Sequence, residues 1–158
     1  MFTKGEAVVY PMHGAGVIEN FEEKNIDGIN KNYYVLSLPL GNLTVMLAEE
    51  CIQNTGLRKV LSKSDINRII KNVSTTPVCT RTANWSQRYK ENMERMKTGK
   101  LCESAAVFYE LFQKEKAKGL SGAEKKVMTT AKKIVVSEIM LGLDIEKCAA
   151  EDMLEKYL

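Results

Sequence analysis

The sequence has little of what enzymes and metal proteins usually need. It contains one histidine, His13, and four cysteines with no CxxC spacing. A metal site would have to gather ligands from remote segments, so we predict no metal and no cofactor. The carboxylates form no pair suited to acid–base work, and the glycines after His13 lack the Gly-Lys-Ser/Thr of a phosphate loop. We therefore predict a non-enzymatic protein without a small-molecule substrate, with His13 in a turn beside a strand.

A long apolar run is also missing. No stretch approaches the roughly 18 apolar residues of a membrane span, and the first residues lack the charged-then-apolar order of a signal peptide. We expect a cytoplasmic location, no membrane partner and reduced thiols. The 158 residues, 44% hydrophobic and 27% charged, suffice for one globular domain or two small ones.

The charge is unevenly distributed along the chain. Residues 81–133 hold thirteen Lys/Arg against six Asp/Glu, a net charge of +7, whereas residues 1–72 hold eight of each kind. Residues 134–158 hold two Lys/Arg against six Asp/Glu, a net charge of −4. The middle of the chain is therefore the segment expected to meet an anionic partner.

The first sixty residues show the short β-rich runs of a small antiparallel sheet or barrel. "NYYVLSL" and "NLTVML" flank "PLGN", which is a hairpin signal, and "NIDGINK" predicts a second turn between strands. In "GAGVIENFEE" the alternation predicts Val17 and Phe21 on one face, with Ile18 and Asn20 on the other. Four or five strands are expected in this part of the chain.

Helical periodicity begins at Ser62, where "SKSDINRIIKNV" predicts a helix capped by Ser62 or Ser64. "STTPVCTRTA", residues 74–83, is interpreted as a linker. Later helices are predicted from Trp85 to about Lys97 with an Asn84 cap, at roughly 103–118, and from a Ser121–Glu124 capping box to about Leu141. Gly142 is expected to end that helix, and Asp144 to cap a last one through Leu154. The predicted class is α+β, with a β domain and closing helix at 1–73 and a helical bundle at 84–158.

Trp85 is the only tryptophan, and its neighbours Asn84, Ser86 and Gln87 are polar. Cations accompany it on three predicted helices: Arg88, Lys90, Lys114, Lys125 and Lys126. A basic cluster on a helix is usually a solvated face, but three clusters in one small bundle favour nucleic acid. The tryptophan ring could then wedge or stack against bases, or it could pack on the linker as a hydrophobic staple. Periodicity alone leaves these two roles about equally supported.

Several stretches together resemble a known family. "GEAVVYPMHGAGVIE", "NYYVLSL…GNLTVML" with "TGLRKV", "NWSQRYKENMERMKTG" and "KGLSGAEKKVMTTAKKIVVSEI" are similar to the CarD-type bacterial transcription regulators of the short CdnL-like kind. The resemblance covers about residues 2–142. It implies a Tudor-like N-terminal domain that binds the β subunit of RNA polymerase. It also implies a helical C-terminal domain that contacts promoter DNA just upstream of the −10 element.

The resemblance also implies roles for particular residues. Trp85 matches the family's wedge at the upstream edge of the transcription bubble, and the DNA face would include Arg88, Lys90 and Lys125, with Lys114 and Lys126 as additions. Polymerase binding would involve Lys24, Thr44 and Met46. Gln87 and Met46 stand where some members carry arginine, which removes one phosphate contact and one salt bridge. Through RNA polymerase, the protein would be associated with the nucleoid.

The resulting prediction is a transcription regulator that binds RNA polymerase and stabilises the open promoter complex. The first alternative is a protein-only adaptor with a peptide-binding β domain and a helical protein-interaction domain. The second is a domain whose enzymatic activity has no sequence signature. Salt-dependent DNA binding that is lost on substitution of Trp85 or Lys125 would separate the regulator from the adaptor.

Overall fold

An antiparallel five-stranded sheet forms the first part of the chain. The computed structural model describes residues 2–75 and 84–158. The strands are β1 (Ala7–Tyr10), β2 (Gly14–Ile26), β3 (Ile29–Leu38), β4 (Leu43–Ala48) and β5 (Arg58–Lys59). Their order in the sheet is β4-β3-β2-β1-β5. Since β4 and β5 stand at the two ends of this order, they are the edge strands of the described sheet.

Both predicted turns are confirmed. Asp27 and Gly28 join β2 to β3 with positive φ angles of 53° and 80°. A 3-10 turn, Pro39–Gly41, joins β3 to β4, and Asn42 follows it in the left-handed region. Glycine, asparagine and aspartate tolerate that region better than other residues, which explains why these short polar segments reverse the chain.

The predicted faces of β2 are wrong beyond Ile18 because the strand contains a bulge. Ile18 pairs with Leu36 and Asn20 pairs with Val35, which leaves Glu19 as the extra residue. A bulge changes which residues share a face. Phe21 therefore lies opposite Tyr34 and on the face of Ile18, with the Phe21 and Tyr34 ring centroids 4.8 Å apart.

Six α-helices accompany the sheet in the described residues. They are the single turn α1 (Ile52–Thr55), then α2 (Lys63–Lys71), α3 (Trp85–Lys97), α4 (Leu101–Lys118), α5 (Gly122–Leu143) and α6 (Lys147–Lys156). Three predicted caps are confirmed: the side chains of Ser62, Asn84 and Ser121 accept hydrogen bonds from the backbone N–H groups of Asp65, Gln87 and Glu124. These bonds satisfy donors that the first helical turn leaves without a partner.

The predicted end of α5 is wrong. The helix continues through Gly142 to Leu143, and Asp144 follows as a left-handed C-cap instead of capping the last helix. Glu146 takes the N-cap position of α6. Gly142 is required for packing: a Cβ there would overlap Ile66 Cδ1 of α2. Gly142 in the sequence therefore marks a position where two helices approach closely, and not the end of a helix.

Two hydrophobic clusters make up the core. One lies on the sheet and includes Val8, Ile18 and Leu36. The other lies among the helices and includes Ile66 and Ile70 of α2 together with buried residues of α3 to α6. The sheet followed by helices confirms the α+β class. Helix α2 thus contributes to the helical core. The predicted linker lies largely outside the described residues, so the boundary at 74–83 stays a prediction.

Candidate functional site

Trp85 is the first residue of α3, and its side chain is exposed. Asn84 Oδ1 accepts a hydrogen bond from Gln87 N at 2.9 Å, which fixes the start of the helix. The tryptophan retains 46% of its accessible surface. Since a buried staple would lose most of that surface, the geometry favours a ring available to a partner.

The cations that follow Trp85 make the start of α3 electropositive. Lys90 is exposed and Arg88 is partly buried, and the first turn of α3 contains no acidic residue. Backbone N–H groups at a helix N-terminus add a partial positive charge to that of the side chains. The combination suits a phosphate group next to the ring.

Helix α3 is held against α4 by Arg95. Arg95 Nε lies 3.0 Å from Glu103 Oε2, and Arg95 Nη1 lies 2.9 Å from Glu110 Oε2, two turns further along α4. Burial alone would lower the pKa of Arg95, but its hydrogen bonds to Glu103 and Glu110 outweigh burial and raise that pKa. The end of α3 therefore packs against the first half of α4.

The end of α4 lies beside the start of α5. Lys114 Nζ contacts Glu124 Oε2 at 2.8 Å, and both side chains are partly buried. This contact places the end of α4 and the beginning of α5 at one end of the bundle. The basic clusters of these two helices are therefore neighbours in the structure.

The predicted DNA-contacting lysines differ in their surroundings. The charge of Lys114 is compensated by Glu124 in a partly buried ion pair. Lys125 and Lys126 are exposed in the beginning of α5, where their backbone carbonyls accept hydrogen bonds from Thr129 and Thr130. Lys125 and Lys126 are better placed than Lys114 for a phosphate, because Lys114 would first have to leave Glu124.

On the sheet, the structure brings together the residues predicted for polymerase binding. Lys24 Nζ lies 3.5 Å from Met46 Sδ across the sheet. Thr44 is exposed on the same strand as Met46, two residues away and hence on the same face. All three side chains lie on the face opposite the sheet core, Thr44 and Met46 on the edge strand β4 and Lys24 on β2.

Sequence reasoning missed two exposed isoleucines near this face. Ile26 and Ile29 form the last register pair before the β2–β3 turn and retain 49% and 58% of their accessible surface. Ile26 shares its face with Lys24 because the two residues are two apart along β2. The sequence pattern that could have indicated this exposed apolar pair is a β-branched residue on each side of the turn residues "DG".

A buried ion pair connects the sheet to the helices. Arg58 of β5 donates from Nη1 and Nη2 to the two carboxylate oxygens of Glu138 on α5, at 2.7 and 2.8 Å. Glu138 is fully buried, and its Oε1 also accepts from Leu61 N at 3.2 Å. Arg58 Nε donates to Gly99 O at 2.9 Å. One arginine thereby joins the edge strand, the α3–α4 connection and α5.

A second contact joins the same surfaces at the start of β2. Ala15 N donates to Ser137 Oγ at 2.8 Å. Gly14 has a φ of +101°, and a Cβ there would lie 2.7 Å from Ser137 Oγ. Gly14 therefore allows close packing of the sheet on α5, whereas Gly16 allows a close approach to Ser37 and Leu38 of β3. His13 is exposed in the turn before them and stacks on Tyr10, with ring centroids 4.5 Å apart, as predicted for a turn histidine.

Other site types find no support in the described ranges 2–75 and 84–158. No group of three or more His, Cys, Asp or Glu side chains there could hold a metal ion. Cys51, Cys102 and Cys148 are free and exposed, and Cys79 lies outside the described residues. Among the helices of this part of the chain, none has both the length and the apolar character needed to cross a membrane.

Comparisons with known proteins cover nearly the whole chain. Residues 2–61 match the family described as "CarD-like/TRCF RID domain". Residues 68–155 match "CarD, C-terminal domain". A Bacillus subtilis (strain 168) protein named "Putative transcription factor YdeB" is 36% identical over 139 residues, which are 88% of this chain and 90% of that protein.

Proposed function

The chain belongs to the CarD-like family of transcription regulators, and on that premise we propose that it binds RNA polymerase and stabilises the open promoter complex. The sheet docks on the β subunit, and the helical bundle contacts promoter DNA at the upstream edge of the transcription bubble. The observation that carries the DNA part is the exposed Trp85 at the start of α3, in a helical bundle that also exposes Lys90, Lys125 and Lys126.

Trp85 and the lysines have different tasks in this proposal. Lys90, Lys125 and Lys126 are exposed and bind phosphates without reading sequence. The indole ring wedges against bases where the duplex opens, and base–aromatic stacking contributes about 1–3 kcal/mol. Since the ring gains this contact only with opened DNA, it slows bubble collapse rather than selecting a sequence.

The sheet supplies the polymerase contact. β4 is an edge strand, so one side of its backbone is available for pairing with a strand of the partner. Met46 and Lys24 present an apolar surface and a cation beside that edge. Backbone pairing tolerates the methionine at a position where some family members carry arginine, because the hydrogen bonds come from the main chain.

The experiment that tests the proposal measures how long open complexes survive a competitor challenge. Trp85→Ala should shorten the lifetime about five- to a hundredfold, corresponding to the stacking energy. It should leave polymerase binding intact, because an exposed ring contributes little packing. Lys125→Glu should weaken DNA contact more at low salt than at high salt, and Lys63→Glu, the same charge change on α2, is the matched control.

An unchanged lifetime with Trp85→Ala would contradict the wedge. If both Trp85→Ala and Lys125→Glu leave DNA binding unchanged while polymerase binding persists, the protein-only adaptor is the better description. The two variants therefore separate the proposed regulator from its alternative.

A further inference from the structure

Tyr89 lies one helical turn after Trp85 and stacks on it. Residues four apart share a helix face, and the two ring centroids are 5.9 Å apart with an angle of 20° between the ring planes. Nearly parallel rings at this separation are offset along each other, which is a favourable arrangement for aromatic pairs. Tyr89 is itself 38% exposed.

Packing in the core of the bundle does not account for the Trp85–Tyr89 ring pair. Both rings are among the exposed large hydrophobic side chains, although α3 buries Met96 on its inner face. A tyrosine that served only to fill the bundle would direct its ring inwards. An exposed tyrosine that covers one face of an exposed tryptophan instead restricts how that tryptophan can rotate.

We infer that Tyr89 is a positioning residue that holds the Trp85 ring in the orientation that meets opened DNA. This inference rests on the proposed wedge function. With one face against Tyr89, the indole presents its other face and its edge to a partner. A ring that is already ordered loses less conformational freedom on binding, so the contact is stronger than that of a freely rotating ring.

The chain offers a direct measurement, because Trp85 is its only tryptophan and therefore its only source of indole fluorescence. In the full-length protein, Tyr89→Ala should make the indole more mobile, with faster anisotropy decay and stronger quenching by acrylamide. Tyr89→Phe should behave like the parent, because it keeps the ring and removes only the hydroxyl. Glu94→Ala, an exposed position further along α3, controls for the change to alanine in this helix.

The second measurement is the lifetime of open complexes with the same variants. Tyr89→Ala should shorten it about two- to tenfold, as expected for the loss of an aromatic pair. Tyr89→Phe and Glu94→Ala should not. In a Trp85→Ala background, Tyr89→Ala should cause no further loss, because a positioning residue has nothing left to position.

The outcomes are distinguishable from failure of the wedge itself. An indole equally mobile in Tyr89→Ala and parent overturns the inference, whatever the lifetimes are. Loss of lifetime in Tyr89→Phe equal to that in Tyr89→Ala would assign the effect to the hydroxyl and overturn it as well. If Trp85→Ala leaves lifetimes unchanged, the proposed wedge fails, and with it the inferred DNA role of Tyr89, even where fluorescence shows that the rings pair.

Discussion

Removing either partner of the Arg58–Glu138 ion pair should destabilise the protein strongly. Glu138 is fully buried, whereas the Arg58 side chain is 26% exposed. Arg58→Met leaves an uncompensated carboxylate in the interior, and breaking a buried pair in this way costs about 3–5 kcal/mol. Glu138→Leu leaves a partly solvated guanidinium that water can reach, so the lower end of that range is expected.

The double variant should be more stable than Arg58→Met alone. Replacing both charges with apolar groups of similar size removes the desolvation penalty together with the attraction, and such replacements are often close to neutral. Three uncharged backbone groups remain that lose their bonds to the pair: the Lys59 and Gly99 carbonyls and the Leu61 N–H. We expect these lost bonds to lower the free energy of unfolding of the double variant by about 1–3 kcal/mol relative to the parent.

Urea unfolding of the parent, the two single variants and the double variant measures the coupling directly. Strong non-additivity, with the double variant recovering stability relative to Arg58→Met, is the expected result. Additive losses would show that the two side chains act independently and would refute the assignment of the ion pair as the connection between sheet and helices.

Three further predictions concern the docking strand, a helix contact and the linker. Met46→Asp should weaken binding to RNA polymerase by placing a charge at the β4 edge. The control Asn54→Asp, at an exposed position on α1, should not weaken it. If both variants bind RNA polymerase equally well, the proposed face is wrong. Gly142→Ala should destabilise the protein by about 1–3 kcal/mol through overlap with Ile66, since overpacking a core has that cost. Gly122→Ala is the control, because a Cβ at Gly122 would meet open space. Equal stability of the two variants would contradict the packing role of Gly142. Limited proteolysis should cut first within residues 74–83, and earlier cutting elsewhere would argue against a linker there.

Local features were the most predictable from the sequence. Asn84 and Ser121 carry short polar side chains at the start of helices, and their capping roles depend on contacts three residues away. The β2–β3 and β3–β4 turns depend on residues that tolerate left-handed backbone. Such signals lie within a few residues of one another, so a single sequence contains them completely.

Features that depend on distant segments were not predictable in the same way. Gly142 resembles a helix stop until Ile66 is placed against it. Glu138 was one of several scattered carboxylates, and its partner Arg58 is eighty residues away. The β2 bulge shifts Phe21 to the other face because of its pairing with β3. In each case the deciding contact is made by tertiary structure, which overrides the local pattern.

Helix α5 is the element that connects the two proposed contacts. It carries Lys125 and Lys126 near its start, and Ser137 and Glu138, which hold the sheet, further along. At 1.5 Å per residue, Lys125 and Glu138 are separated by about 20 Å of continuous helix. In the proposed complex, with the sheet docked on RNA polymerase, a rigid spacer of this kind would convert DNA binding into an intramolecular step. Phosphate contacts that would be weak for the protein free in solution would then suffice, and the Trp85 ring would meet the opening duplex without sequence-specific affinity of its own.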